Sequence, residues 1–505
     1  MTAVGEVTVA EIVPRWEWRT FGEEFGAAED RFASLTPEQT VESDELYVLS
    51  TLAGETVKVR AGLMDVKHLE RMNEAGLEQW LPVLKAEFPL PAEDVRKVLE
   101  MQRVGAPPLT RPAYTLDELL DEALRPRDEL LEVEVHKLRR RYLIDGCMAE
   151  LTDVTTKRAS TRTIAVESEN ADLVIATVRE LGLGSRENTS FPRGLAQLVG
   201  FGRYTVVDVG TNSVKFHVGE RGRDGAWGTV VDRAEVTRLG EGLGETGQLE
   251  SGAIARTVEA IAAMVGEARE LGAVAIAAVG TAGLRIASNA DEFLDAVRSG
   301  CGTAVEIISG DEEGRLAYVA ATSSLGLQGG SLAVFDTGGG SSQFTFGRGR
   351  EVDERFSVDV GAVRFTERYG LAGAVSDEVL AEVLTAIAAD LSRLDGRPVP
   401  DAVVGMGGAV TNLAAVKHGL AEYDPEVVHG TVLDRDEIDR QIELYRTQDA
   451  DARRAIVGLQ PGRADVILAG ACVVKTVLAK LGAESFTVSD RGLRHGLLVE
   501  RFGGG

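Results

Sequence analysis

Two stretches of this chain carry residue types suited to holding an anion. Ser331–Phe346 reads SLAVFDTGGGSSQFTF: an apolar run, Leu332–Phe335, meets Asp336 and then turns through Gly338, Gly339 and Gly340 into Ser341 and Ser342. Consecutive glycines let the backbone approach a ligand closely, and their bare N–H groups suit an anionic oxygen, usually of phosphate. The alternation after Phe344 predicts a returning strand, so the turn is a hairpin and not a strand-to-helix loop. Thr205–Val218 (TVVDVGTNSVKFHV) repeats the pattern. Asp208 aligns with Asp336, Gly210 with Gly338, Asn212 with Gly340 and Ser213 with Ser341. An internal duplication is implied, and two like halves facing each other would put both turns on one cleft. Thr211 and Ser342 complete the candidate phosphate set. Asp208 and Asp336 are hard oxygen ligands suited to Mg²⁺. Arg285, just past a strand end, can grip phosphate as a fork. Glu312 and Glu313 follow another strand, where a first-turn glutamate also suits the helix dipole. Lys215 either faces the cleft or is a plain surface lysine.

The elements that must position these residues alternate between strand and helix. Ile254, Val258, Ile261 and Val265 recur at helical spacing, Ala273–Val279 and Ala304–Ile308 read as buried strands, and Ser309–Arg315 leads into a helix. After Gly330 the same grammar returns. Leu380, Leu384, Ile387 and Leu391 mark a helix, Ala402–Thr411 a strand and glycine turn, and Thr487–Gly496 a strand-to-helix turn. This alternation predicts an α/β sheet in each half.

The first 186 residues have another texture. Arg15, Glu17 and Arg19 sit two apart, as do Lys58 and Arg60, then Lys137, Arg139 and Arg141, then Glu167 and Glu169. Strand side chains repeat every two residues, so each set lines one face. Two arrangements satisfy the pattern: a barrel or curved sheet with a charged interior, or strands whose charged face is solvated. Val66–Phe88 and Leu116–Leu124 read as helical, Pro107, Pro108 and Pro112 as a loop, and Glu187–Gly202 as a short connector.

Bulk properties narrow the partners. The 505 residues are 44% hydrophobic, enough for several cored domains, and the net charge of −26 argues against general nucleic-acid or membrane-surface binding. Any polyanion must meet a local basic site. Cys147, Cys301 and Cys472 have no metal spacing and fit a reducing, cytoplasmic setting. Glu6 and Glu11 make a poor secretory start.

The segments DVGTNS, RLGEGL, GTAGLR, SGDEEGR, FDTGGGSS, VDVGAVRFTER, VGMGGAVTNLAA, VVHG, RADVILAG and VSDRGLRHG, in that order, resemble the exopolyphosphatase and guanosine-pentaphosphate phosphatase (Ppx/GppA) family. The resemblance implies two ribonuclease-H-like halves of the actin, sugar-kinase and Hsp70 superfamily, over 203–326 and 327–505, with the active site between them. It implies Glu313 as the water-activating base; Arg285, from its place past a strand end, is the other expected catalytic residue, and Mg²⁺ on Asp208 and Asp336 is the expected cofactor. Gln343 stands where the family usually has a glutamate. Residues 1–186 resemble the CYTH or triphosphate-tunnel fold, an α+β antiparallel barrel, with Glu17, Lys58, Arg60, Lys137, Arg139, Glu150, Asp153, Glu167 and Glu169 as the matching residues and 187–202 as linker. That family begins with two glutamates and a lysine at alternate positions. WEWRTF supplies only Glu17 and Arg19, so a polyphosphate binder is expected more than a second catalyst. The expected activity is removal of terminal phosphates from inorganic polyphosphate. The alternatives are a guanosine-pentaphosphate 5′-phosphatase and a non-catalytic polyphosphate sensor, and a homodimer is compatible with each.

Overall fold

The computed structural model describes residues 14–503 apart from 212, 328 and 350. Period-two alternation carries the first third of the chain into strands. These are β1 (Trp16–Gly22), β2 (Gln39–Ser50), β3 (Thr56–Arg60), β4 (Leu63–Met72), β5 (Glu78–Glu87), a short outlying pair β6 (Leu90–Pro91) and β7 (Ala113–Tyr114), β8 (Leu130–Ile144), β9 (Cys147–Thr156) and β10 (Ser160–Ser168). Eight of them close into an antiparallel barrel in the order β1-β10-β9-β8-β2-β3-β4-β5. Glu17 lies opposite Glu167, Thr152 opposite both Thr163 and Arg139, and Glu45 opposite both Val135 and Arg60. Residues directly opposed in an antiparallel ladder share a face. Arg19, Glu45, Lys58, Lys137 and Glu150 therefore all project to one side. The other face, including Trp18, Val57, Met64, Ile144 and Ile164, is buried in the cores that hold helices Ala27–Ala33, Ala92–Met101 and Ala171–Glu180. The charged face is the interior, which settles the choice left open by the alternation.

Two expectations for this region are corrected. Val66–Phe88 is not helical; it forms most of the β4–β5 hairpin. Val66, Leu69 and Met72 do fall at a three-residue spacing, but closing the barrel requires pairing partners for β3 and β1, and that tertiary demand overrides the local period. Asp153 lies on the outer face, where it pairs with Arg140 at 2.9 Å and Arg162 at 3.7 Å. The helix expected at Leu116–Leu124 is present, widening into a π turn over Leu120–Leu124.

Two sheets follow. The first holds β11 (Gly202–Val209), β12 (Ser213–Arg221), β13 (Trp227–Val236), β14 (Ala273–Gly280) and β15 (Val305–Ile307), in the order β13-β12-β11-β14-β15. The second holds β16 (Ser331–Thr337), β17 (Ser342–Arg348), β18 (Glu351–Val358), β19 (Ala402–Met406), β20 (Val432–Asp434) and β21 (Ser485–Val488), in the order β18-β17-β16-β19-β21-β20. In both, the central strand pairs antiparallel with the next strand and parallel with the fourth. The repeated order is the structural form of the duplication. Helix Leu493–Phe502 crosses back from the second half to lie on β11 and β12 and against helix Gly310–Ser324.

The segment expected as a connector holds helix Phe191–Val199, with proline in its first turn and Gly200 as a left-handed cap. Its apolar face joins Tyr47, Leu49, Val133, Val135 and Val154 of the barrel to Tyr204, Val206 and Val274 of the first half in one core.

Candidate functional site

The two glycine hairpins adopt the same turn. Gly210 N–H donates to Ser213 O at 3.0 Å, and Gly338 N–H to Ser341 O at 3.0 Å. Each turn is braced from its own half: Gly240 of the RLGEGL turn donates to Thr211 O, and Ala362 and Val363 donate to the carbonyls of Gly338 and Gly339. Among the described residues nothing accepts from the N–H of Gly339 or Gly340. These donors have no other use than water or a ligand. Gly407 is required here by close approach: at φ 95° a Cβ would meet Asp336 Oδ1 at 2.5 Å. Asn212 lies outside the described residues. Ser342 departs from its assignment as a side-chain ligand, because its hydroxyl is buried and donates to Val360 O at 2.6 Å.

The cleft brings residues of both halves together. Asp208, the penultimate residue of β11, is opposed by Lys215, whose Nζ lies 2.9 Å from Asp208 Oδ2. Lys215 is thereby a cleft residue. In the second hairpin Gln343 is opposed to Asp336, at the position equivalent to Lys215, so it shares the Asp336 face, and its amide donates to Ser341 Oγ at 2.9 Å. Burial raises the Asp336 carboxyl, Lys215 of the other half lowers it, and Glu313 raises it. Lys215 and Glu313, from two other motifs, therefore both lie close enough to act on Asp336. Glu313 sits in the first turn of helix Gly310–Ser324, capped by Ser309, which accepts from Glu312 N–H at 3.0 Å. Arg285 spans the strand ends, donating to Ile308 O at 2.8 Å and to Glu313 Oε2 at 3.1 Å. Glu312 turns away to Arg315. Arg355 of β18, which the sequence did not single out, reaches Gly310 O and Asp311.

The donor set suits a divalent cation. Asp208 Oδ1 is buried with no hydrogen-bond partner among the described residues, and Asp336 supplies a second hard oxygen. By contrast His217, Asp232 and His495 lie close together, but Arg494 takes both Asp232 oxygens at 2.7 Å. Gly492 N–H also donates to His495 Nδ1 at 3.3 Å, which turns the ring's own proton toward Asp232. That cluster is an ion-pair hub holding Arg494.

A second charged site fills the barrel around Glu45, which the alternation in VESDELYVL hides among other acidic residues. Glu45 receives Lys58 at 3.2 Å, Lys137 at 3.3 Å, Arg139 at 3.5 Å and Arg60 at 3.8 Å, and the Tyr47 hydroxyl at 3.0 Å. Burial acts to raise this carboxyl, but Lys137, Lys58 and Arg139 overcome it and hold it at about 2. Burial pulls the Lys137 ammonium well below its ordinary range against the pull of Glu45. Arg19 pairs with Glu17 at 2.8 Å, and Arg139 with Glu150 at 3.1 Å. Burial and then Glu17 push Glu167 up to about 7. Lys58, Arg60, Lys137 and Arg139 thus converge on one point.

The sequence profile of the Ppx/GppA phosphatase family matches residues 220–503. Exopolyphosphatase 2 of Mycobacterium tuberculosis is 33% identical over 324 residues, covering 60% of this chain and 99% of the relative. The guanosine-5′-triphosphate,3′-diphosphate pyrophosphatase of Photobacterium profundum is 29% identical over 306 residues, covering 59% of each chain. The crystal structure of the type II variant of the Aquifex aeolicus Ppx/GppA phosphatase superposes with a TM-score of 0.56 at 33% identity, covering 59% of this chain and 99% of that one. With the motifs in order, two like sheets and the facing hairpins, these matches establish that the chain belongs to the Ppx/GppA phosphatase family and is a phosphoanhydride hydrolase.

Proposed function

We propose that the chain is an exopolyphosphatase that releases orthophosphate from the ends of inorganic polyphosphate. The observation that carries this reading is the meeting of Glu313, Arg285, Lys215 and Asp336 beside two like glycine turns, the second with unused N–H donors at Gly339 and Gly340. The N–H groups of Gly339 and Gly340, with Ser341 and Lys215, bind and orient the terminal phosphoryl oxygens. Glu313 takes the proton of the attacking water, and Arg285 aims its carboxylate. Asp208 and Asp336 hold Mg²⁺, which when bound offsets substrate charge. The first 186 residues act as a CYTH-like polyphosphate-binding barrel whose Lys58, Arg60, Lys137 and Arg139 converge on the barrel interior around Glu45.

A second reading, a guanosine-pentaphosphate 5′-phosphatase, draws support from the Photobacterium profundum relative. The basic barrel favours the polymer, because linked sites raise avidity only for a ligand long enough to use both. Phosphate release from long-chain polyphosphate and from guanosine pentaphosphate, measured side by side, tests the choice. A higher kcat/KM on the nucleotide reverses it, and no release from either leaves a polyphosphate sensor. Among the described residues no helix is long and apolar enough to cross a membrane.

A further inference from the structure

The barrel interior is closed at one end. Along β8 the inward side chains run Val133, Val135, Lys137, Arg139, Arg141, and along β2 they run Leu49, Tyr47, Glu45, Ser43, Val41. On β1 the order is Phe21, Arg19, Glu17, and on β9 it is Val154, Thr152, Glu150. On β8, β9 and β1 the apolar members lie at one end; on β2 Val41 stands at the other, but Leu49 and Tyr47 share that apolar end. There Phe191, from the helix that joins the barrel to the first half, inserts among them. Its ring stacks on Tyr47 at 4.9 Å and packs against Phe21 at 5.7 Å. Lys137 Nζ lies 3.4 Å and the Arg19 guanidinium 5.6 Å from its centroid. Tyr47, Leu49, Val133, Val135, Val154 and Phe191 belong to one core that continues into the first sheet.

Exposure of the inward cations follows this geometry. On β8 the Lys137 side chain is 2% exposed, Arg139 9% and Arg141 38%. On β3 Lys58 is 10% exposed and Arg60 39%. Solvent therefore reaches the charged interior from the end remote from Phe191, and Lys137 stands on the floor.

We propose that the barrel is a one-mouthed cup that takes the terminus of a linear polyphosphate, and not an interior stretch of the chain. This rests on reading the barrel as a polyphosphate site. An eight-stranded barrel has room for side chains or for one small ligand. A polymer can touch a blind floor with an interior segment only by folding back, which needs two strands abreast in that bore. A single strand reaches Lys137 and Lys58 only end first. The end group also suits the floor: a terminal phosphoryl, like a phosphomonoester, carries about −1.5 to −2 charges near pH 7, against one for each phosphate within the chain. The sealed floor further means that a chain does not thread through the barrel into the phosphatase cleft. A bound polymer is tethered by one end while the cleft works on its other end, or a second polymer is taken there.

The test uses full-length protein carrying Glu313→Gln, so that ligands are not consumed, with and without Lys137→Met. Calorimetric titration compares linear tripolyphosphate, cyclic trimetaphosphate, long-chain polyphosphate, and the same long chain with both ends capped as phosphodiesters. Lys137→Met is expected to weaken linear tripolyphosphate and the uncapped chain tenfold or more, by a similar factor per mole of chain. The cyclic and capped probes are expected to bind weakly and without response to Lys137→Met. Capped chain binding as tightly as uncapped, and weakened equally by Lys137→Met, overturns the end-first reading while leaving the barrel a polyphosphate site. No response of any probe to Lys137→Met overturns both. Lys58→Met, on the same floor, repeats the comparison if Lys137→Met fails to fold.

Discussion

Replacing Glu45 by glutamine keeps the shape of the barrel floor and removes the one anion that Lys58, Lys137, Arg60 and Arg139 share. The magnitude follows from the structure. The Glu45 side chain is fully buried, and its carboxyl is held at about 2 against an ordinary 4.5. A difference of roughly 2.5 units corresponds to about 3 kcal/mol of folded-state stabilisation. The same size is expected when one member of a buried ion pair is removed, about 3–5 kcal/mol. For a unit of this size each kcal/mol moves the midpoint by about 2–4 °C, so the barrel transition of Glu45→Gln should fall by roughly 6–12 °C at pH 7 and low salt. The sign with pH is fixed by the depressed carboxyl. Its contribution is complete above about 4.5 and lost as pH falls toward 2, so parent and variant should converge in acid. Tripolyphosphate should restore the variant, because an anion now meets uncompensated cations; at a hundred times its Kd it contributes about 2.7 kcal/mol. Scanning calorimetry at pH 7 and pH 3, with and without tripolyphosphate, reads all of this. An unchanged midpoint at pH 7, or equal protection of parent and variant by tripolyphosphate, would refute the reasoning.

Three further outcomes are expected. Glu313→Gln should bind substrate near-normally and lose about 10²–10⁴ in turnover, the scale of a general base; near-normal phosphate release removes Glu313 from that role. Glu167→Gln should stabilise the protein at pH 8 and have no effect near pH 4. Burial and Glu17 hold the Glu167 carboxyl at about 7, so the stability this group contributes is present below about 4.5 and is lost as pH rises through 7; denaturant midpoints across that window check the sign, and destabilisation at pH 8 contradicts it. Gln343→Glu should lower the Mg²⁺ concentration needed for half-maximal phosphate release, since Gln343 shares the Asp336 face and a carboxylate serves a hard cation better than an amide; superimposable Mg²⁺ titrations count against any metal role for residue 343.

Much of the phosphatase region was legible because its signals are local. The glycine hairpins at Asp208 and Asp336 are written in consecutive residues whose backbone requirements few other residues meet, and their repetition announced the two halves. Strand–helix alternation placed Glu313 at a helix start and Arg285 past a strand end for the same reason. The charge alternation of the first 186 residues showed that Lys58 and Arg60 share a face, as do Lys137 and Arg139. It did not say which face is inside, since period two is the same for a filled barrel and a solvated sheet. Only closure of the β1–β5 seam and the helices outside it decided that. The strands at Val66–Phe88 were hidden because their spacing suits a helix until β3 and β1 demand partners. Glu45 was overlooked because its four cations come from β3 and β8, brought together only by barrel registry. The segment around Phe191 read as a connector because proline and glycine mark turns as often as helix ends. Its role emerges where the barrel and the first sheet bury their apolar faces on it, a demand set by surfaces far apart in the chain.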